Sequence, residues 1–156
     1  MPFRKSSVLT RRVAVVGASL VVLAIAGCGS STPSGLSKSA LVKKGDAICT
    51  RHTEVITAAA SKLLAGGKLP SPAKFGQLAF GTIIPQTTTQ IAELSALKPE
   101  AKLMTAYKQW LASLRAALAG MKQNPASIQQ RAPFVTVNHQ AKALGFSSAC
   151  NVGPGS

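Results

Sequence analysis

From residue 37 onward, apolar side chains recur every three or four positions, a spacing that predicts a series of α-helices. The first predicted helix begins at Ser37, a residue type that caps helix starts, and it ends at Gly66-Gly67. Its apolar stripe includes Leu41 and Cys49. We therefore expect Cys49 to face the core.

The second predicted helix contains a proline. It begins at Ser71-Pro72, because serine caps a helix and proline fits its first turn, and it runs to Leu97. Pro85 has no backbone N–H to donate, so the pattern predicts a kink between Thr82 and Pro85 or a break into two pieces.

The third predicted helix has the most regular stripe, running from Leu103 to Met121 and ending near Gly120. Most aromatic side chains of the chain fall on such stripes and are expected in the core. Trp110 lies at the edge of its stripe and not in the middle, which makes it a candidate for a pocket wall or a partner surface.

The fourth predicted helix begins at the cap Asn124-Pro125 and ends at Gly145, and a short tail then leads to Cys150. Pro133 and the β-branched residues that follow it favour an interruption of this helix or an extended segment. We still predict a helix, because the sequence offers no other strand with which an extended segment could pair. The inner face is expected to contain Ile128, Ala132, Val135, His139 and Ala143.

Four helices joined by short Pro/Gly turns predict an all-α fold, an up-down four-helix bundle with a kinked second helix over residues 37–156. In that topology helix four ends beside the beginning of helix one.

A different kind of segment precedes this domain. Arg4, Lys5, Arg11 and Arg12 form a basic cluster before the apolar run 13–27. Fifteen helical residues span only ~22 Å, less than the ~30 Å hydrocarbon core, so the run favours a secretory signal over a permanent membrane span.

The end of that run, Ile25-Ala26-Gly27-Cys28, resembles the lipobox of bacterial lipoproteins. The resemblance implies that residues 1–27 are a cleaved signal peptide and that Cys28 carries a diacylglycerol at the outer face of the cell membrane. Residues 28–36 are then the lipidated cysteine and a flexible Gly/Ser/Thr/Pro tether. An ordinary signal peptide and an uncleaved signal anchor are the alternatives.

Without the four basic residues of the leader, fourteen lysines and arginines face four acidic residues, a net charge of about +10. This charge favours anionic lipids, acidic envelope polymers or another envelope protein as partners, and a solvated basic surface is the simpler reading. Nucleic acid is not expected for an exported protein.

The lipobox accounts for Cys28, which leaves Cys49 and Cys150 as an even pair in a compartment where disulfides persist. The predicted topology brings the same two residues together. We expect a Cys49–Cys150 disulfide.

The candidate chemistry is sparse. Cys49, His52 and Glu54 lie close in sequence, but Glu54 points to a different helix face, and His139 is the only other histidine. The chain has no nucleophile elbow, phosphate-binding loop or metal-ligand spacing. We therefore expect no enzyme activity, no metal and no cofactor, and leave His52 and His139 as surface or pocket candidates.

Three short segments carry a wider resemblance: "KKGDAICTR", "LSALKPEAKL" and "AKALGFSSAC". The chain resembles small lipoproteins and secreted helical proteins of actinobacteria, although Lys98-Pro99-Glu100 replaces the double proline of that pattern. The family carries no established activity, so the resemblance implies a scaffold and no catalytic residues.

These observations favour a non-catalytic, membrane-anchored module that binds envelope partners through its basic helical surface. The alternative is a small-molecule or lipid carrier, which predicts an enclosed apolar cavity of roughly 300 Å³ or more between the helices near Pro85. The binding module predicts a packed core and an exposed patch instead.

The lipid anchor is directly testable. The intact mass of protein extracted from membranes should include acyl chains on Cys28 as the new amino terminus, because two or more chains are needed for stable anchoring. A water-soluble product that begins at another residue would contradict the anchor.

Overall fold

The structure is a computed structural model that describes residues 35–65, 67 and 70–154. These residues form helices and turns and no strand, which confirms the predicted all-α class. The predicted leader and Cys28 lie outside the described residues. Within the described part, no helix is both long enough and apolar enough to cross a membrane.

Helix α1 spans Lys38–Leu64 and begins where the sequence predicts, since the Ser37 hydroxyl accepts a hydrogen bond from the backbone N–H of Ala40. Its buried positions are Leu41, Gly45, Cys49 and His52, one turn apart along the first half of the helix. The second half buries no residue completely, and Val55 is 44% exposed. Helix α1 is therefore packed at its beginning and open toward its end.

The second predicted helix is interrupted, as Pro85 predicts. It consists of α2 (Pro72–Leu78), a π-helical turn (Ala79–Ile83) and α3 (Ile84–Ala96). The backbone N–H of Ile84 donates to the carbonyl of Ala79, five residues earlier, which is the spacing of a π turn. The irregularity is thus a widened turn that ends just before the proline.

Helix α4 spans Ala101–Gln123 and contacts both α3 and α5. Trp110 is completely buried, and its ring stacks on that of Phe146 with the centroids 4.6 Å apart. The expectation that Trp110 lies at a pocket or surface is wrong. Because α4 is covered by neighbours on more than one side, its buried face is wider than a single stripe and includes the flanking position.

A buried hydrogen bond joins α3 to α4. The Tyr107 hydroxyl donates to the carbonyl of Leu94 at 2.6 Å, and Tyr107 is 1% exposed. Burial raises the pKa of this hydroxyl above its usual value, because the phenolate would lose its hydration.

The fourth predicted helix is shorter than expected. Two 3-10 turns, Pro125–Gln129 and Ala132–Phe134, precede α5 (Val135–Leu144). Gly145 has φ +96° and ends α5, in the left-handed region that glycine adopts readily.

The inner face predicted for this segment is correct only at Ile128, while Ala132, Val135, His139 and Ala143 are exposed. The buried positions are instead Phe134, Val137, Ala141 and Leu144. The reason is the break between residues 129 and 132, which restarts the helical phase so that one continuous period cannot describe both halves.

The end of the chain is fastened to the first half of α1. Cys49 and Cys150 form the predicted disulfide, their Cα atoms are 4.9 Å apart and both are fully buried. Gly45 allows Phe146 to approach, because a Cβ at this position would lie 2.3 Å from the phenylalanine ring. Next to the disulfide, the Thr53 hydroxyl donates to the carbonyl of Ala149 at 2.9 Å.

We expect the double variant C49A/C150A to lose a large part of the folding stability. The disulfide joins residues 101 positions apart, and a loop of about that length is worth up to about 4.7 kcal/mol in the chain-entropy model. Urea unfolding followed by circular dichroism measures the difference. Equal denaturation midpoints for the variant and the oxidised wild type would contradict this role, and chemically reduced wild type provides the matching control.

Candidate binding groove

A groove of about 580 Å³ lies beside the second half of α1. Its walls come from α1, from α2 and the π turn, from α3, from the end of α4 with the following 3-10 turn, and from the C-terminal tail. The lining residues are Thr53, Ile56, Thr57, Ala60, Ser61, Leu64, Phe75, Leu78, Ile83, Thr87, Gln90, Met121, Ile128, Gln129, Asn151, Val152, Gly153 and Pro154.

Helix α1 contributes two parallel rows of side chains to the groove. Thr53, Thr57 and Ser61 form a row of hydroxyls at a spacing of four residues. Ile56, Ala60 and Leu64 form an apolar row at the same spacing. Since residues four apart share a helix face, the two rows lie side by side. Together they cover residues 53–64, about three turns or roughly 16 Å of the helix.

None of the described residues that line the groove is charged. Outside it, each described lysine and arginine is exposed. The groove is therefore a neutral, largely apolar strip on a strongly basic protein, a combination of apolar walls and few polar groups that is typical of small-molecule sites. Its volume exceeds the ~300 Å³ expected for a carrier. Exposed residues such as Thr57 and Leu64 leave it open to solvent, so it is a groove and not the enclosed cavity that the carrier alternative predicts.

Helix α3 supplies two polar side chains to the groove. Thr87 is 3% exposed and Gln90 is 4% exposed, and both line the groove. Neither side chain makes a hydrogen bond with any residue in the described part of the chain. Their polar atoms are not among the fully buried atoms without a partner, so these two mostly buried side chains keep polar atoms that solvent can reach.

The C-terminal tail forms one wall and is held in place. The Asn138 side-chain amide donates to the carbonyl of Val152 and accepts from its backbone N–H, both at 2.9 Å. Gly153 has φ +84° and packs against Phe134, since a Cβ here would lie 2.1 Å from that ring. Together with the disulfide at Cys150, these contacts fix the tail as a wall of the groove.

His52, predicted as a surface or pocket residue, is 5% exposed and lies next to the groove without lining it. Its Nδ1 is 2.7 Å from Gln86 Oε1, which makes Nδ1 the donor. Its Nε2 lies 3.5 Å from Glu93 Oε1 and forms no hydrogen bond with the described residues, so the two atoms attract strongly only when the imidazole is protonated. Glu93 also pairs with Arg51.

The other sequence candidates are separated from this cluster. His139 is exposed on α5 and lines a different cleft, of about 420 Å³. Glu54 is exposed, and Cys49 has its sulfur in the disulfide and is not a free nucleophile. Among the described residues, no group of three or more His, Cys, Asp or Glu side chains is placed to hold a metal ion.

Sequence reasoning missed Thr87 and Gln90, although the pattern contains a signal. Thr87, Gln90 and Leu94 repeat at spacings of three and four, so the two polar residues occupy the face that Leu94 buries. Polar residues on a buried stripe of a helix mark the position of a site or of an internal hydrogen bond.

Comparisons with protein-family models, with curated proteins and with solved structures find no match to this chain. The groove is therefore interpreted from its own residues.

We expect the variant Asn138→Ala to loosen the tail. It removes both hydrogen bonds to Val152, a loss of about 1–3 kcal/mol, and leaves the Val152 N–H without its acceptor. Hydrogen exchange followed by NMR should show a faster Val152 amide and an unchanged amide at Leu118 in α4. Equal protection of Val152 in the variant and in the wild type would contradict the role of Asn138.

Proposed function

We propose that the protein is a lipid-anchored, non-catalytic binding protein of the bacterial cell envelope that holds a small, largely apolar molecule in the groove. The observation that carries the proposal is the groove itself, about 580 Å³ in volume, with no charged side chain among its described lining residues. This volume lies inside the range of known small-molecule sites, which is about 300–1,000 Å³.

The position of the groove supports the carrier alternative over the basic-surface module. A widened turn and a proline separate α2 from α3 and leave Ile83 beside the groove. The second half of α1 is correspondingly uncovered, and Leu64 is 53% exposed. An apolar ligand would bury this surface, which is the main source of affinity in such sites.

In this proposal the basic surface holds the domain close to the membrane and does not bind the apolar ligand. The described lysines and arginines are exposed on every α-helix except α3, and their ion pairs include Arg51–Glu93 and Lys102–Glu100. The excess positive charge attracts anionic headgroups and acidic envelope polymers and keeps the domain near the surface to which Cys28 would anchor it.

The order of packing is consistent with the up-down arrangement that we also propose. Helix α1 packs on α3, α3 on α4, and α4 on α5. The segment after α5 then returns to α1 through Cys150.

The groove can be tested by filling it. The full-length protein in detergent is photolabelled with an apolar aryl diazirine, and labelled residues are located by peptide mass spectrometry. We expect labels on the α1 positions 56–64 and on the tail residues 151–154, because these line the same groove. The variant Ala60→Trp places an indole in the groove and should reduce this labelling at least tenfold.

The matched control is Ala112→Trp, an exposed alanine of α4 that does not line the groove. It should label as the wild type does. Labelling that is absent from the groove in the wild type, or equal in the two tryptophan variants, would contradict the proposal.

A further inference from the structure

We infer that the ligand of the groove carries an uncharged hydrogen-bonding group, of the amide, ester or alcohol type, which bonds to Gln90 and Thr87. The inference rests on the proposed function and names the chemical class of the ligand. It starts from Thr87 and Gln90, two mostly buried side chains of α3 that line the groove and have no hydrogen-bond partner among the described residues. Their polar atoms are not among the fully buried ones and so can be reached by a ligand.

Other polar side chains of the same helix show what the usual arrangement would be. The hydroxyls of Thr88, Thr89 and Ser95 each donate to the backbone carbonyl four residues earlier, at 2.7, 3.2 and 2.6 Å. Thr87 makes no such bond to Ile83, the residue at the same spacing. Its hydroxyl remains free for a partner in the groove.

Gln90 lies about one helical turn from Thr87 and likewise makes no hydrogen bond with a described residue. Its amide offers two N–H donors and a carbonyl acceptor, and the residue is only 4% exposed, yet no described residue bonds to it. The polar atoms of Gln90 and Thr87 are not among the fully buried side-chain atoms that lack a partner, so they can still reach solvent. A ligand that displaces this solvent from the groove must replace its hydrogen bonds or lose affinity. Thr87 and Gln90 therefore form one recognition point, with both donors and acceptors.

The surroundings select a neutral group. A carboxylate or phosphate that enters an apolar site loses its hydration and needs a cation in compensation. The described lining residues include no cation, and the nearest ionic cluster on α3 is the pair that Glu93 forms with Arg51. We therefore expect the ligand to be a neutral amphiphile. Its apolar part packs along Ile56, Ala60 and Leu64, and its polar group bonds to Thr87 and Gln90 of α3.

The test uses competition against the apolar aryl diazirine on the full-length protein. Dodecanamide and dodecanoate are titrated separately, and the ratio of their half-competition concentrations is compared between variants, which cancels their different partition into detergent. We expect dodecanamide to compete at the lower concentration in the wild type. In Gln90→Leu, a variant of similar volume, the half-competition concentration of dodecanoate divided by that of dodecanamide should fall about tenfold, while diazirine labelling of the groove persists.

Two matched controls keep the result specific. Gln109→Leu changes an exposed glutamine of α4, and Thr88→Val removes a hydroxyl that already has its partner. Both should keep the wild-type ratio, whereas Thr87→Val should lower it. An unchanged ratio in Gln90→Leu, or stronger competition by dodecanoate in the wild type, would overturn the inference and leave the groove as a binding site. Absence of groove labelling in the wild type would overturn both.

Discussion

The covalent link between Cys49 and Cys150 is the constraint on which the rest of the structure depends. It fastens the last segment of the chain to the first half of α1, where Gly45 admits Phe146 and the fully buried Trp110 stacks on that ring. The same link holds the following tail residues close to α1, and Val152 lines the groove together with α1 side chains. One covalent bond therefore completes the core and shapes the candidate site.

The two halves of α1 divide the packing of the core from the lining of the candidate groove. The first half places small and apolar residues one turn apart against the core, and its buried positions end at His52. Beyond that residue, rows of hydroxyl and apolar side chains face the groove. The π turn between α2 and α3 also borders the groove through Ile83, which is consistent with the frequent occurrence of π turns at functional sites.

Local sequence rules predicted the parts of the fold that depend on neighbouring residues. The cap at Ser37, the interruption before Pro85 and the pairing of Cys49 with Cys150 each follow from residue type, spacing or cysteine number. The burial of Trp110 was not predicted, because it depends on how many neighbours cover α4. The prediction of which face of α5 is buried was wrong for a related reason, because two short 3-10 turns before Val135 change the phase of the helix. The groove was also out of reach of local rules, because its walls join residues as far apart in the chain as Thr53 and Val152.

The most direct measurement of the central claim, that the groove completed by the disulfide-held tail is the binding site, is an NMR titration of the oxidised full-length protein with dodecanamide. We expect the side-chain amide of Gln90 and the backbone amides of Val152 and Gly153 to shift together and saturate at one ligand concentration. Shifts confined to the cleft beside His139, or to the lysines of the basic surface, would contradict it.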